Sequence, residues 1–343
     1  MATMSDVARR AGVSLSTVSY VLTGARPISP RTRDRVLAAM KELDYQPNAM
    51  AQGLASRRTT LLGLMLPMDD RGLGATEAAF ATGAAAAAAD AGYHLMLHPA
   101  GATDVDALRR LGNRRLLDGA LLMEVRLDDR RVPLLRRLGI PFVLIGRTAD
   151  PAGTPFVDID FDRTVEDAVE HLTALGHRDV VYVNHSVADL EAGYGPARRT
   201  AEAFAAAMRA RGLPPVMVPA EDTAAGGRRA LAEALRRVPG LTAVLAMNES
   251  ALFGVLGGLA DRGLRVPDDV SVVSMVTSES VAELATPALT SLTSPGSAVG
   301  RLAVEILIST LDPEGADRSA PEIRQELLSC ALQVRGTSAP ARG

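Results

Sequence analysis

The sequence predicts an N-terminal all-α helix-turn-helix head followed by an α/β body of two parallel-sheet lobes. Three observations carry that expectation. Helix-start signals and apolar residues at spacings of three and four recur three times within residues 1–46. From Leu61 onward, short apolar runs alternate with helical stretches, the pattern of parallel strands joined by covering helices. Residues 1–60 carry nine basic side chains against four acidic ones, although the whole chain has a net charge of −3. A basic head on an acidic body suggests a head that meets a polyanion.

In the head, Thr3 can cap a first helix, with Asp6 as its reciprocal partner and Val7, Ala8 and Ala11 as the apolar stripe. Gly12-Val13 makes a turn, and Ser14 caps a second helix that sends Val18, Val21 and Leu22 inward. Ser29-Pro30 opens a third, because proline suits the first helical position and serine the cap; Val36, Met40 and Leu43 follow at helical spacing. Residues 47–58 read as a linker with a turn or two of helix.

In the body, strands are expected at Leu61–Leu66, Tyr93–Leu97, Gly119–Met123, Phe142–Ile145, Val180–Val183, Ala243–Ala246 and Val270–Met275. Helices are expected near 74–91, 103–116, 130–138, 162–175, 197–211, 227–237 and 249–262; the alanine run 84–89 reads as a close-packed helix face. The pattern restarts after Asp160, where the chain is expected to cross between lobes. The expected boundaries are 1–46 for the head, 47–59 for the linker and 60–343 for the body. Within the body, the first lobe takes about 60–159 and 289–318, the second about 160–288 and 319–343.

With 47% hydrophobic and 22% charged residues, the composition is that of an ordinary globular protein. No apolar run approaches a membrane span, and no apolar core follows the first residues, so neither a membrane nor a secreted protein is expected. Cys330 alone excludes a disulfide framework and a multi-thiolate zinc site; no metal or cofactor is expected. Lys41 is the only lysine, so the phosphate loop ending in Gly-Lys-Ser/Thr is absent. The acidic pairs Asp69-Asp70, Asp128-Asp129 and Asp268-Asp269 suit capping or solvated roles, nothing matches Gly-x-Ser-x-Gly, and His177, at a helix end before a strand, reads as structural. An enzyme is not expected.

Two short helices joined by a glycine turn inside a basic three-helix unit form a helix-turn-helix, whose second helix would enter the major groove of DNA. Leu15 and Ser16 at its N-terminal end and Tyr20 one turn later would meet base edges. Ser14, Thr17 and Ser19, with Thr3 and Ser5, offer hydroxyls to phosphates or bases, and Arg9, Arg31 and Arg33 offer charge to phosphates.

The run from Ser5 to Leu22, with Arg33, Val36, Ala39, Leu43, Tyr45, Pro47-Asn48-Ala49 and Ala51-Gln52-Gly53-Leu54, resembles the signature of the LacI/GalR family of bacterial transcriptional regulators. Asp118–Leu122, Gly139–Arg147, Leu175–Arg178, Gly263–Val273 and Pro287–Leu292 look like landmarks of the same family. The resemblance implies a periplasmic-binding-protein-like body, two lobes around an effector cleft, and a homodimer on pseudo-palindromic double-stranded operator DNA. It also makes residues 47–58 a hinge helix that orders on DNA, with Asn48 as its cap, Ala51 at the close approach of two such helices, and Leu54 as the minor-groove wedge.

The cleft departs from the family pattern. Thr200 stands where sugar-responsive relatives carry an arginine, Ser274-Met275-Val276-Thr277 where they carry Gly-Phe-Asp-Asp, and Asn248-Glu249 where they carry Asn-Asp. The expected effector lining is Asp69, Arg71, Arg147, Thr200, Asn248, Glu249, Met275 and Val276. Losing the aspartate and arginine that grip hydroxyls argues against an ordinary sugar and toward a less polar effector with one anionic group held by Arg147. The reading is a cytoplasmic, homodimeric repressor without membrane contact, its effector unidentified. A solute-binding protein with the same body, or a regulator with no small-molecule effector, is the alternative.

Overall fold

A computed structural model of the chain describes residues 2–23, 26–45, 59–67, 73–99, 104–114, 116–311 and 323–342. Its backbone falls into two compact units, Met1–Leu61 with Arg115–Asp118, and Leu62–Arg114 with Gly119–Gly343.

The first unit holds α1 (Met4–Ala11), α2 (Leu15–Thr23) and α3 (Pro30–Glu42). Thr3 Oγ1 accepts from the Asp6 amide at 3.3 Å while Asp6 Oδ2 accepts from the Thr3 amide at 2.9 Å, the reciprocal cap that the spacing predicts. Gly12 closes α1 at φ +63°, a left-handed conformation that glycine adopts without a Cβ penalty. Ser14 Oγ accepts from the Thr17 amide (3.1 Å) at the start of α2, and Ser29 Oγ from the Thr32 amide (3.3 Å) at the start of α3. Arg35 on α3 donates to the carbonyls of Ala11 (2.8 Å) and Gly12 (3.2 Å), so a cation holds the turn between α1 and α2. Val7, Ala8, Ala11, Val18, Val36 and Ala39 form the core, with Val21, Leu22, Met40 and Leu43 half-buried around it.

The second unit carries two sheets. Its first stretch runs β1 (Leu61–Leu66), α4 (Ala75–Asp90), β2 (His94–Pro99), α5 (Val105–Asn113), β3 (Gly119–Leu122), α6 (Arg131–Leu138), β4 (Phe142–Ile145) and β5 (Phe156–Ile159). The next runs α7 (Phe161–Ala174), β6 (Val180–Asn184), α8 (Val187–Glu191), α9 (Gly195–Ala210), β7 (Val216–Pro219), α10 (Ala224–Arg237) and β8 (Ala243–Ala246). Then come α11 (Glu249–Ala260), β9 (Ser271–Thr277), α12 (Glu279–Leu284), β10 (Thr290–Thr293), α13 (Gly296–Leu311), β11 (Gln325–Leu328) and β12 (Ala331–Gln333). One sheet has the order β11-β5-β4-β3-β1-β2, the other β12-β10-β9-β8-β6-β7. Pairing is parallel from β1 through β3, β4 and β5 to β11, and from β7 through β6, β8 and β9 to β10. Only β12 on β10 is antiparallel among the described pairs. The two parallel-sheet lobes expected from the alternation are therefore present. Their inner strands are apolar along their length because helices cover both faces; every residue of β3 and β8 is buried.

Two crossings differ from the expectation. Thr290–Thr293, expected in the first lobe, pairs with β9 in the second sheet, and α13 after it packs on β3, β4 and β5. Gln325–Leu328, expected in the second lobe, pairs in parallel with β5 in the first. The chain thus leaves the first sheet at Ile159, returns between Thr293 and Gly296, and crosses once more between β11 and β12. Five strands lie outside the seven expected: β5, β7, β10, β11 and β12.

Helices α4 and α13 touch backbone to backbone. A Cβ at Gly83 would fall 2.1 Å from the Ser297 carbonyl oxygen, and one at Gly300 2.0 Å from that of Phe80. The alanine-rich face of α4 permits this approach, and it sets the N-terminal turn of α4 at the cleft.

Candidate functional site

The head presents α2 as its candidate DNA-reading surface. Leu15 is 50% exposed at the start of a helix whose Val18 is fully buried. Ser16 beside it is exposed, and Tyr20 one turn on is half-buried under the Arg26 guanidinium, 5.3 Å from the ring centroid. Ser14 Oγ lies 2.9 Å from Ser16 Oγ and 2.8 Å from Thr17 Oγ1, so these hydroxyls share one N-terminal cluster. Thr3 and Ser5 are exposed at the first turn of α1, and Ser19 is half-buried on α2. Asn48, Ala51 and Leu54 lie outside the described residues.

Between the two sheets of the body lies a cavity of about 150 Å³. It forms where strands of both sheets end and the following helices begin, the usual ligand position in open α/β sheets. The first lobe contributes Thr76, Glu77 and Phe80 of α4, Met123–Val125 after β3, Gly146 after β4 and Asp158 on β5. The second contributes Phe161, His185, Tyr194, Asp222, Asn248, Glu249 and Val276.

Of the sequence-derived effector residues, Asn248, Glu249 and Val276 line this cavity. Thr200 does not: it is fully buried, its hydroxyl donating to the Pro196 carbonyl (2.8 Å) and accepting from Tyr182 (2.7 Å). Met275 is fully buried in the core, because β9 alternates and its neighbour Val276 takes the cavity side. Arg147 faces Asp158, Nη1 to Oδ2 3.5 Å, and is not part of the cavity wall. The expectation that Arg147 holds an anionic effector is corrected on that ground. Asp69 and Arg71 lie outside the described residues.

Asn248 caps α11, its Oδ1 accepting from the Ala251 amide at 3.0 Å, while its Nδ2 is buried without a hydrogen-bond partner. Glu249 follows in the first turn; its Oε1 accepts from the Ser278 amide at 3.3 Å, and the Thr76 hydroxyl lies 3.4 Å away. Burial, reinforced by Glu77 and Asp222, raises the Glu249 carboxyl to about 7. Asp158 is 4% exposed, and burial raises it to about 6 against the pull of Arg199 and Arg147. Its Oδ2 has no hydrogen-bond partner.

Cross-lobe contacts frame the cavity. Thr76 donates to the Val276 carbonyl at 2.9 Å, holding the first turn of α4 to the end of β9. Arg199 on α9 donates to the carbonyls of Arg147 (2.6 Å) and Thr148 (3.2 Å), with its Nη1 3.8 Å from Asp158 Oδ2. Buried Arg131 grips Asp129 through Nε (3.0 Å) and Nη2 (2.8 Å) and donates to the Met123 carbonyl (2.8 Å), fixing the loop after β3. Val276 and Glu124 both hold positive φ, +55° and +49°, which costs a side-chain-bearing residue about 1–3 kcal/mol. Sequence reasoning missed Asp158, Arg199, Glu77, Glu124, His185 and Tyr194. One signal was present: Asp158 interrupts the apolar strand Phe-Val-Asp-Ile.

Residues 3–48 match the bacterial regulatory proteins of the lacI family, and residues 169–338 match the periplasmic binding protein-like domain. The chain is 33% identical over 323 residues to the HTH-type transcriptional regulator CelR of Thermobifida fusca, covering 91% of this chain and 92% of that one. It is 29% identical over 326 residues to catabolite control protein A of Priestia megaterium, covering 94% and 96%. Among solved structures, a transcriptional regulator CelR–cellobiose complex matches with a TM-score of 0.71 at 29% identity, over 98% of this chain and 100% of that one. The lac repressor dimer bound to operator and the anti-inducer ONPF shares the fold, with a TM-score of 0.80 at 24% identity over 98% and 99%. The resemblance read from the head and the body landmarks is borne out. A DNA-binding head joined to a periplasmic-binding-protein-like body makes this chain a transcriptional regulator of the LacI family.

Proposed function

We propose that the chain is a repressor that binds a pseudo-palindromic operator as a homodimer and is controlled by a small-molecule effector in the cleft. It acts in the cytoplasm and carries out no catalysis. The observation that carries the reading is the exposed pair Leu15 and Ser16, with half-buried Tyr20 one turn on, set on a helix whose opposite side is packed around Val18. Hydroxyls from Thr3, Ser5, Ser14, Thr17 and Ser19 serve the backbone or base edges, and the hinge residues Asn48, Ala51 and Leu54 order at the operator centre. Expected effector residues that line the cavity, Asn248, Glu249 and Val276, meet the ligand there. The coupling is linkage: an effector that prefers a lobe arrangement incompatible with paired hinges lowers operator affinity, and operator lowers effector affinity equally.

An ordinary sugar fits poorly, since the described cavity wall carries no arginine to grip its hydroxyls. The CelR–cellobiose complex makes cellobiose the reference competitor. The DNA reading is tested by selecting binding sites from random duplexes with the full-length chain and with Leu15→Ala, Ser16→Ala and Tyr20→Ala. Ser16→Ala is expected to change the preference at one base pair by about 1–3 kcal/mol. Identical selected sites for all three variants would remove α2 from the base-reading role.

A further inference from the structure

We propose that Asp118 anchors the C-terminal end of the linker and is a positioning residue for operator binding. This rests on the reading of the chain as an operator-binding regulator and names the residue that fixes where its linker begins.

The linker that the sequence places at residues 47–58 runs directly into Thr59 and Thr60, which precede β1. Asp118 stands just before β3, the strand that pairs in parallel with β1 from Leu62 and Gly119 onward. Its carboxylate is divided between the two threonines. Oδ1 accepts from the Thr59 amide at 2.8 Å and from the Thr59 hydroxyl at 3.0 Å, and Oδ2 accepts from the Thr60 amide at 2.8 Å. The Asp118 amide donates to the Leu61 carbonyl at 2.9 Å, so backbone and side chain of one residue hold three consecutive positions.

The backbone shows what this grip does. Neighbouring amides of an extended chain point to opposite sides. They converge on one anion where a residue turns left-handed. Thr60 does so, at φ +52°. A β-branched residue avoids that region and stays there only where its surroundings over-determine it. The hydroxyls close the same turn: Thr60 Oγ1 donates to the Thr59 carbonyl at 2.7 Å, and Thr59 Oγ1 accepts from the Leu61 amide at 3.3 Å. Asp118 therefore sets the direction in which the chain enters β1.

The anchor also sits where the body can act on it. β3 is four residues long, every one of them buried, and Met123 at its far end belongs to the cavity wall. Each residue that must be fixed on binding costs conformational entropy. Without the carboxylate, Thr60 relaxes toward the extended region, and Thr59 and Thr60 join the residues that must order on the operator. Binding to random duplex rests mainly on phosphate charge and does not carry that cost.

The test uses the full-length chain, the duplex that it selects from a random pool, and an unselected random duplex, each titrated by fluorescence anisotropy. Asp118→Ala removes the acceptor, and Thr60→Pro removes both the amide and the left-handed conformation. Each is expected to lower the ratio of selected-duplex to random-duplex affinity about tenfold, the cost of ordering one or two further residues. A chain that is merely destabilised loses active fraction and binds both duplexes less, which leaves the ratio unchanged. Asp118→Asn keeps one acceptor oxygen and turns the other into a donor facing a backbone amide. It is expected to lower the ratio about fivefold, and it is read instead if Asp118→Ala does not fold. A ratio within about threefold of the wild-type value, or an equal fall in both affinities, overturns the anchor while the DNA reading stands. If the wild-type chain selects no duplex, the DNA reading falls and the anchor falls with it.

Discussion

Glu249→Gln is expected to stabilise the unliganded protein at alkaline pH and to change little at acidic pH. Burial is the main cause of its raised pKa, and Glu77 and Asp222 add repulsion. An ordinary glutamate titrates near 4.5, and Glu249 titrates at about 7. The folded chain therefore binds this proton more tightly than the unfolded chain does. Stability from the neutral carboxyl is fully present below 4.5 and is lost as pH rises through about 7. At 1.36 kcal/mol per pH unit the interval corresponds to about 3 kcal/mol. Partial exposure of the group and relaxation of neighbouring carboxylates bring the expected gain at pH 8 to about 2–3 kcal/mol. For a body of this size that is about 3–6 °C in Tm. Asp158 acts in the same direction, but it titrates at about 6, so the loss between pH 6 and 8 belongs mainly to Glu249. The assay is scanning calorimetry of both proteins at pH 5 and pH 8. An equal Tm difference at the two pH values, or a variant less stable at pH 8, refutes the reasoning.

The packing of α4 on α13 gives a second expectation. Gly300→Ala gains about 1 kcal/mol of helix propensity, yet its Cβ would meet the Phe80 carbonyl oxygen at 2.0 Å and the Ala84 amide nitrogen at 2.8 Å. Both are backbone atoms, so the helices must separate, and a net loss of about 2 kcal/mol or more is expected in urea unfolding; an unchanged midpoint would contradict the close approach. Arg131→Met leaves Asp129 buried and unpaired, an expected loss of about 3–5 kcal/mol, and a loss under about 1 kcal/mol would remove Arg131 as the clamp of the cavity loop.

The head was legible because each of its signals is local. Thr3 and Asp6 cap within one turn, Gly12 needs no partner to take positive φ, and Val7, Val18 and Val36 fall inward at ordinary helical spacing. The central strands were legible because burial on both faces leaves them continuously apolar. Apart from the edge strand β7, the strands outside the expectation lie next to the chain's crossings between sheets. Thr290-Ser291-Leu292-Thr293 lacks the apolar run of the expected strands, because three of its four residues carry hydroxyls; those of Thr290 and Ser291 are held by Arg335 and Ser338, bonds that sequence distance conceals. The cleft was half legible. Asn248, Glu249 and Val276 follow from their place after a strand, whereas register decided against Met275 and an internal hydroxyl bond against Thr200. Arg199 and Asp158 come together from opposite lobes, and no local pattern announces such a pair.

Cross-lobe hydrogen bonds link the cleft to switching: Thr76 with Val276 and Arg199 with the Arg147 and Thr148 carbonyls hold the lobes together. A ligand shifts the balance between lobe arrangements only by its differential affinity for them. A ligand held by groups of both lobes, Thr76 from one and Asn248 with Glu249 from the other, interacts most strongly when both sets surround it, so its binding favours the approximated lobes. Removing one carboxylate by Glu249→Gln should weaken binding and reduce the shift in operator affinity together.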